Sequence, residues 1–251
     1  MILRSIRFHR WQHDFFRRPS IVDKKKPGPP GEESVMSPIF QRNDSGSKAN
    51  ARGAASGART PRRSSGWAKI LERLKAEQGL RVLDIGPTSP ANINFLTELG
   101  HSVYMADLVA EAVKPDWVIP ATDDRPLSYD VPAFLAKHMD FGGRKFDIIL
   151  LWDTVDYVPA PLGAAIISQL ASVLSEKGQV LAFFHSKNTG PETAFSRYHV
   201  MDGDTLSVQP GPNYPVLTVY QNRQAEALLQ DIGACRFLLA KDNTREVIAS
   251  R

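Results

Sequence analysis

The sequence predicts an α/β fold whose doubly wound, mostly parallel sheet ends in an antiparallel strand pair. From residue 66 onward, short apolar runs alternate with stretches of helical periodicity, a pattern typical of strands joined by helical crossovers. Such crossovers make consecutive strands parallel. Near the end of the chain, a link of four residues separates two strand-like runs. This link is too short for a crossover and suits a hairpin.

The predicted elements follow one another with short connections. Apolar residues at helical spacing predict a first helix that begins near Trp67 and is capped by Ser64 or Ser65. Ser89 and Pro90 are a favourable cap and first residue for a second helix. Further helices are predicted at residues 131–139, 162–174 and 222–231, and strands at residues 80–83, 103–107, 116–119, 146–152, 179–184, 235–240 and 245–249.

The first quarter of the chain differs in composition from the rest. Residues 1–65 hold 14 Lys and Arg against 5 Asp and Glu, whereas the remaining residues hold 17 against 22. Little apolar surface is available there to offset the entropy of ordering, so we predict a disordered basic tail at residues 1–65 and a folded domain at residues 66–251. The positive charge belongs to the tail and does not indicate specific nucleic-acid binding. Residues 1–11 either contact an anionic surface or form an unstructured start.

Other features limit the class of protein. A single cysteine, Cys235, excludes an internal disulfide framework and fits a reducing compartment, which predicts a cytoplasmic location. There is no run of about 18 apolar residues, so we expect no transmembrane segment. No His, Cys and Asp cluster has the spacing of metal ligands, so we expect no metal site. The sequence does not indicate the oligomeric state.

The segment after the first helix carries a predicted ligand site. Asp84 and Gly86 end the first strand, and Asp107 ends the second strand 21 positions after Gly86, about where open α/β sheets place an acceptor for ribose hydroxyls. These residues resemble the opening of the class I S-adenosylmethionine-dependent methyltransferases. In that family an acidic residue and a glycine-rich turn end the first strand, and an acidic ribose binder ends the second. The resemblance covers residues 66–251 and implies a Rossmann-like fold with S-adenosylmethionine as cofactor.

The predicted cofactor-binding residues follow strand ends, where the ligand crevice of an open α/β sheet lies. Asp84 either accepts from an amino group of the ligand or pairs with turn amides, and Asp107 either binds the ribose or faces solvent. Asp123 or Asp124 resembles the family's contact to the adenine amino group, and the alternative is an acidic loop. The full predicted set is Asp84, Gly86, Thr88, Asp107, Asp123, Asp124 and Asp153.

The turn departs from the family pattern at two positions. Thr88 and Pro90 stand where the family usually has glycines. The side chain of Thr88 narrows the space in which the backbone approaches a ligand. The sequence therefore indicates either a ligand that sits differently or a pocket that is no longer catalytic.

The residues after the fourth and fifth strands supply the catalytic candidates, Asp153 and His185. The segment after the fourth strand resembles the family segment that flanks the transferred methyl group. There Asp153 would contact the ligand or orient a substrate nucleophile, while Trp152 and Tyr157 either wall the pocket or pack at its rim. We expect Asp153 and Tyr157 to line one cavity with Gly86. His185 either takes a proton from a substrate hydroxyl or is a surface or hydrogen-bonded histidine.

These observations favour methyl transfer from S-adenosylmethionine to an unidentified acceptor. The segment after the fourth strand lacks the Asn/Asp-Pro-Pro-aromatic run of many enzymes that methylate planar amines in nucleic acid, so we predict a small-molecule acceptor. Residues 189–218 would form a long insertion that covers its site. One alternative is a non-catalytic binding or scaffold protein on the same fold, motivated by Thr88 and Pro90. Another is a NAD-dependent oxidoreductase, against which the missing Gly-x-Gly-x-x-Gly counts.

Overall fold

The computed structural model describes residues 57–187, 193–238, 240 and 242–251. The first 56 residues of the predicted tail, including the segment considered for contact with an anionic surface, lie outside the described residues. In chain order the elements are β1 (Thr60–Arg63), α1 (Ser65–Ala76), β2 (Arg81–Ile85), α2 (Pro90–Glu98), β3 (Ser102–Ala106), α3 (Leu108–Ala112), β4 (Val118–Ile119), β5 (Ser128–Tyr129), α4 (Val131–His138), β6 (Phe146–Trp152), α5 (Ala160–Val173), β7 (Leu174–His185), β8 (Thr193–Ala194), β9 (Arg197–Val200), β10 (Thr205–Gln209), β11 (Asn213–Tyr214), α6 (Asn222–Leu228), β12 (Ala234–Leu238) and β13 (Thr244–Ser250).

The central sheet has six strands in the order β12-β13-β7-β6-β2-β3. Strands β3, β2, β6 and β7 run parallel to one another. Strand β13 pairs antiparallel with both β7 and β12. The predicted fold class, a mostly parallel sheet that ends in an antiparallel pair, is therefore confirmed.

Apolar layers cover both faces of this sheet, which is the doubly wound arrangement. Neighbouring residues of a strand point to opposite faces, and β6 shows the consequence. Ile148 and Leu150 pack in the layer that contains α1 and α2, whereas Ile149 and Leu151 pack in the layer that contains α4 and α5. Because β6 is apolar on both faces, it lies in the middle of the sheet.

Two serine caps fix where the first helices begin. The Ser64 side chain accepts from the Trp67 amide at 3.0 Å and starts α1. The Ser89 side chain accepts from the Asn92 amide at 3.2 Å, and Pro90 is the first residue of α2. Both starts confirm the sequence prediction. The second also fixes the end of the turn that follows β2.

The strand predicted at residues 116–119 does not join the central sheet. Residues Pro115–Trp117 form a 3₁₀ turn, and the short β4 pairs antiparallel with β5 in a separate two-stranded ribbon. The Trp117 side chain explains the difference, because it packs edge-on against Phe134 at 5.3 Å and donates to the Glu111 carbonyl. These contacts tie the segment to α3 and α4.

The region predicted as a long insertion also contains regular structure. Within its described part, β9 and β10 form an antiparallel sheet with β1 in the order β1-β10-β9, and β8 pairs with β11. The predicted tail therefore needs correction at its end, since residues 60–63 are a strand of the fold. Its anchor is Arg62, which donates to Glu246 Oε1 at 2.7 Å and to Asp242 Oδ2 at 2.7 Å.

Candidate ligand-binding site

A cavity of about 220 Å³ lies beyond the carboxyl ends of β2 and β3. Small-molecule sites usually measure roughly 300–1,000 Å³, so this cavity suits only a compact group. One side is formed by the turn after β2 and the start of α3, and the other by the segment from residue 195 to 214. Its lining residues are Pro87, Asp107, Ala110, Phe195, Arg197, Gln209, Pro210, Gly211, Pro212 and Tyr214.

Asp107 is the carboxylate of this cavity. It caps α3 by accepting from the Ala110 amide through Oδ1 at 3.3 Å. Its other oxygen accepts no hydrogen bond from the described residues and is available to a ligand. Burial raises the pKa of Asp107, while the Ala110 amide and the positive charge of Arg197 oppose this rise. Of the predicted cofactor-binding residues, Asp107 is the one that lines the cavity.

Arg197 brings a positive charge to the same cavity from β9. Its Nε atom is buried and has no hydrogen-bond partner among the described residues. The sequence analysis did not single out Arg197. A sequence signal for Arg197 does exist. The alternating pattern of residues 205–209 predicts a strand, and the nearby residues 197–200, which contain Arg197, are its pairing partner.

Asp84 lies outside this cavity, buried at the end of β2. Its Oδ2 accepts from Asn92 Nδ2 and its Oδ1 from Trp152 Nε1, each at 2.7 Å. Pairing with turn amides is not observed among the described residues, and the contact of Asp84 with a ligand amino group stays a prediction. Burial raises the pKa of Asp84 to about 6, although the two hydrogen bonds oppose that rise.

The turn after Asp84 is covered by an indole ring. A Cβ atom on Gly86 would lie 3.3 Å from Trp152 Cδ1. The φ of Gly86 is outside the left-handed region, so glycine is needed here for close packing. Thr88 is exposed and is not part of the cavity lining. The two predicted turn residues therefore do not contact the space around Asp107.

Trp152 and Tyr198 form a stacked aromatic pair above this turn. Their ring centroids are 4.8 Å apart with an interplanar angle of 14°. The Phe183 ring packs edge-on against Trp152 at 5.5 Å. Trp152 therefore packs in the apolar layer that contains α1 and α2, and it is not part of the lining of the Asp107 cavity. Tyr198 lies in β9, within the insertion predicted at residues 189–218.

Asp153 belongs to a buried polar group next to this pair. Its Oδ2 accepts from the Tyr198 hydroxyl at 3.1 Å, whereas its Oδ1 has no partner among the described residues. Burial raises the pKa of Asp153 to about 6, although the charge of His185 opposes the rise. Asp153 and Tyr157 do not line the Asp107 cavity, and Gly86 does not either. That these three residues line one cavity stays a prediction.

His185 is held by Asp156, a residue that the sequence analysis missed. Asp156 Oδ2 accepts from the His185 amide at 2.6 Å and lies 2.8 Å from His185 Nδ1. Burial lowers the pKa of His185, but the hydrogen bond to Asp156 and the charges of Asp153 and Asp156 outweigh it, so the pKa is raised. His185 is thus hydrogen-bonded through Nδ1, while its Nε2 is bonded to no described residue, and its role as a base stays a prediction.

Asp123 and Asp124 lie at the exposed tip of a turn closed by Thr122 and Arg125. Their loop does not follow a strand of the central sheet, because β4 and β5 form a ribbon outside it. Neither aspartate lines the Asp107 cavity. The contact of one of them with the ligand stays a prediction.

Neither a metal-ligand cluster nor a helix that could span a membrane occurs among the described residues. Within them, no group of three or more His, Cys, Asp and Glu side chains is arranged to hold a metal ion. No helix in the described part of the chain is long and apolar enough to cross a membrane.

Residues 60–233 match the family model described as methyltransferase domain. This match covers more than half of the chain, and the chain belongs to this methyltransferase family, as the resemblance of its opening segment predicted. No curated protein sequence gives a match.

Several solved methyltransferase structures are similar to the chain. One is the 1,6-didemethyltoxoflavin-N1-methyltransferase of Burkholderia thailandensis, at 14% identity over 75% of this chain and 79% of that chain, with a TM-score of 0.38. Another is the magnesium protoporphyrin IX methyltransferase of Synechocystis PCC 6803, at 18% identity over 74% and 78%, with a TM-score of 0.40. A third is an S-adenosylmethionine-dependent methyltransferase of Clostridium acetobutylicum, at 15% identity over 74% and 90%, with a TM-score of 0.41.

Proposed function

We propose that the chain binds S-adenosylmethionine with its ribose at Asp107 and transfers the methyl group to a small molecule. The observation that carries the proposal is the Asp107 carboxylate. It lines a cavity at the carboxyl ends of two parallel strands in a methyltransferase domain, with one oxygen available to a ligand. An open α/β sheet binds its ligand at this edge, and a carboxylate can accept from both ribose hydroxyls.

The described residues fit one end of this cofactor. The Asp107 cavity offers a carboxylate acceptor, apolar walls and the Arg197 side chain to a nucleoside-sized group. The turn at Gly86 does not fit the amino-acid end of the cofactor in the described conformation, since the Trp152 side chain lies against Gly86. Both oxygens of Asp84 are also engaged. The nucleoside end of the ligand is thus the part that this site supports.

The proposed acceptor rests on the sequence. The segment after β6 has no Asn/Asp-Pro-Pro-aromatic run, which favours a small molecule over a base in nucleic acid. This segment forms a 3₁₀ turn, Thr154–Tyr157, whose residues are all buried.

A second candidate function is a binding protein that performs no methyl transfer. The specific observation in its favour is the indole of Trp152 on Gly86, together with Thr88 and Pro90 in the turn. The two functions differ in turnover. Binding of S-adenosylmethionine without demethylation in the presence of a broad set of small acceptors supports the second one.

Calorimetric titration with S-adenosylhomocysteine tests the role of Asp107. Asp107→Asn can still cap α3 through its oxygen but presents an amide donor to the ribose, whereas Asp107→Ala loses both functions. Charge-assisted hydrogen bonds are each worth about 1.5–3 kcal/mol, so both variants should bind at least about tenfold more weakly than the wild type.

The matched control is Asp130→Asn. Asp130 caps α4 by accepting from the Ala133 amide, as Asp107 caps α3, but it does not line the cavity. Its substitution should leave affinity unchanged. A wild type that does not bind at millimolar ligand, or an Asp107→Asn variant with wild-type affinity, would contradict the proposal. Binding of a nicotinamide dinucleotide instead would support an oxidoreductase.

A further inference from the structure

The order of the strands fixes the path of a ligand that extends from Asp107. In the central sheet β3 is followed by β2 and then by β6. Adjacent strands are about 4.8 Å apart, so the end of β6 lies roughly 10 Å from the end of β3. A long ligand with its ribose at Asp107 therefore passes over Gly86 at the end of β2. It then reaches Trp152 at the end of β6.

This path is filled by side chains of the protein itself. Trp152 lies against Gly86, and Tyr198 stacks on the indole. Both rings are almost fully buried, at 2% and 7% exposure. The pair is also hydrogen-bonded at both ends, through Trp152 Nε1 to Asp84 and through the Tyr198 hydroxyl to Asp153.

The backbone of Trp152 is strained. Its φ is +50°, which lies in the left-handed region, where a non-glycine residue is held only if its surroundings favour it. The pairing of β6 with β7 is also irregular between Leu150 and Trp152, and such irregularities redirect side chains. The hydrogen bond to Asp84 and the stack on Tyr198 are contacts that hold the indole in place. Their loss would release the strain.

The backbone next to the pair is tied to the start of α2. Asn92 Nδ2 donates to the Tyr198 carbonyl at 2.9 Å, and Asn92 Oδ1 accepts from the Val200 amide at 2.8 Å. The Ser89 hydroxyl lies 2.7 Å from His199 Nδ1. Strand β9 is thereby anchored to the start of α2.

We propose that the stacked pair of Trp152 and Tyr198 is an internal plug, which must open before a ligand longer than a nucleoside can bind. With the plug closed, the Asp107 cavity takes adenosine; with the plug open, it also takes the amino-acid chain of S-adenosylmethionine. This inference rests on the proposed function. The apparent affinity for the long ligand is then the affinity of the open state multiplied by the fraction of molecules in which the plug is open.

Calorimetry with two ligands, adenosine and S-adenosylhomocysteine, tests the plug. In the wild type, the two dissociation constants should lie within about threefold of each other, because the cost of opening the plug offsets what the amino-acid chain gains by binding. In Trp152→Gly, which suits the left-handed backbone, S-adenosylhomocysteine should bind at least about tenfold more tightly, while adenosine affinity changes by less than about threefold.

Tryptophan fluorescence provides a second measurement that does not depend on folding of the glycine variant. S-adenosylhomocysteine should shift the wild-type emission to longer wavelength as Trp152 becomes exposed, and adenosine should not. Trp152→Phe should abolish this shift. The matched control, Trp117→Phe, should retain it, because Trp117 packs against Phe134 and His138 and does not line the cavity.

Different results contradict the plug alone and the proposed function as a whole. The plug is overturned, and the proposed function retained, if the wild type binds S-adenosylhomocysteine far more tightly than adenosine, with no Trp152-dependent shift and no gain in Trp152→Gly. If neither ligand binds the wild type or Trp152→Gly, the proposed function is overturned and the plug with it.

Discussion

At the scale of single residues, Asp84 shows how a buried carboxylate responds to its surroundings. It is 2% exposed, and its hydrogen bonds from Asn92 and Trp152 offset only part of the cost of burying a charge. Burial therefore raises its pKa from 3.8 to about 6. The neutral carboxyl group is correspondingly favoured in the folded protein.

This shift predicts a pH-dependent stability. A raised pKa in the folded state contributes stability that is fully present below about pH 4 and is lost as the pH rises through 6. A shift from 3.8 to about 6 corresponds to about 3 kcal/mol. The free energy of unfolding of the wild type, relative to that of Asp84→Asn, should therefore fall by about 2 kcal/mol between pH 4 and pH 7. Urea unfolding of both proteins at several pH values measures it, and a difference that stays constant with pH would contradict it.

The partners of Asp84 could not be predicted from the sequence. Its place before Gly86 indicates a strand end at a ligand crevice, and the structure agrees with the strand end. Asn92 lies eight residues away and Trp152 lies 68 residues away. No pattern links them to Asp84, because side-chain hydrogen bonds have no periodicity in the sequence. The location of Asp107 could be predicted from the sequence, since a residue that directly follows β3 lies at the carboxyl edge of the sheet.

At the scale of elements, β1 is the strand that ties the start of the described chain to the sheet. Arg62 lies close to Glu246, which is 1% exposed on β13, and Glu246 Oε2 also accepts from the Gly66 amide at 2.6 Å. The Arg62 guanidinium also lies 4.7 Å from the centre of the Phe183 ring. Loss of Arg62 would leave a buried carboxylate without its cation.

Removal of one partner from a buried ion pair usually costs about 3–5 kcal/mol. Arg62→Met should therefore destabilise the protein by about that amount in urea unfolding. The matched control is the adjacent Arg63→Met. Arg63 Nη1 lies 3.8 Å from Asp204 Oδ2, and both side chains of this ion pair are exposed. The effect of Arg63→Met should stay within about 0.5 kcal/mol. Equal effects of the two substitutions would show that the Arg62 pair is not a source of stability.

The same contacts predict where the chain can be shortened. A chain that begins at Gly57 keeps β1 and should unfold at the temperature of the full chain. A chain that begins at Ser64 keeps the cap of α1 but lacks Arg62, and it should lose as much stability as Arg62→Met. Differential scanning calorimetry of both chains measures this, and equal melting temperatures would place the start of the folded domain after β1.

The prediction of elements succeeded where apolar patterns were long and failed where they were short. Strand β6 was predicted with its observed bounds, because Phe146 and the five consecutive apolar residues at 148–152 identify a strand that is buried on both faces. The strand predicted at residues 116–119 was wrong, since an apolar pair next to Trp117 also suits a 3₁₀ turn and a ribbon. Strands β9 and β10 were missed, because the Pro and Gly residues at 210–212 indicated a loop.

At the scale of the whole molecule, the cavity forms between two parts of the chain that are distant in sequence. The turn after β2 and the start of α3 supply one wall, and residues 195–214 supply the other. The first wall could be located from the sequence, because its residues directly follow the ends of β2 and β3, where an open α/β sheet binds its ligand. The sequence therefore predicted the fold class and one cavity residue, while Arg197 and Tyr214 required the three-dimensional structure.

Equilibrium dialysis with methyl-labelled S-adenosylmethionine tests most directly whether this cavity is the cofactor site. We expect saturable binding to one site per chain in the wild type, displacement by unlabelled adenosine, and loss of binding in Asp107→Asn but not in Asp130→Asn. Absence of saturable binding at millimolar ligand, or binding that adenosine does not displace and Asp107→Asn retains, would contradict the assignment of the cofactor to the Asp107 cavity.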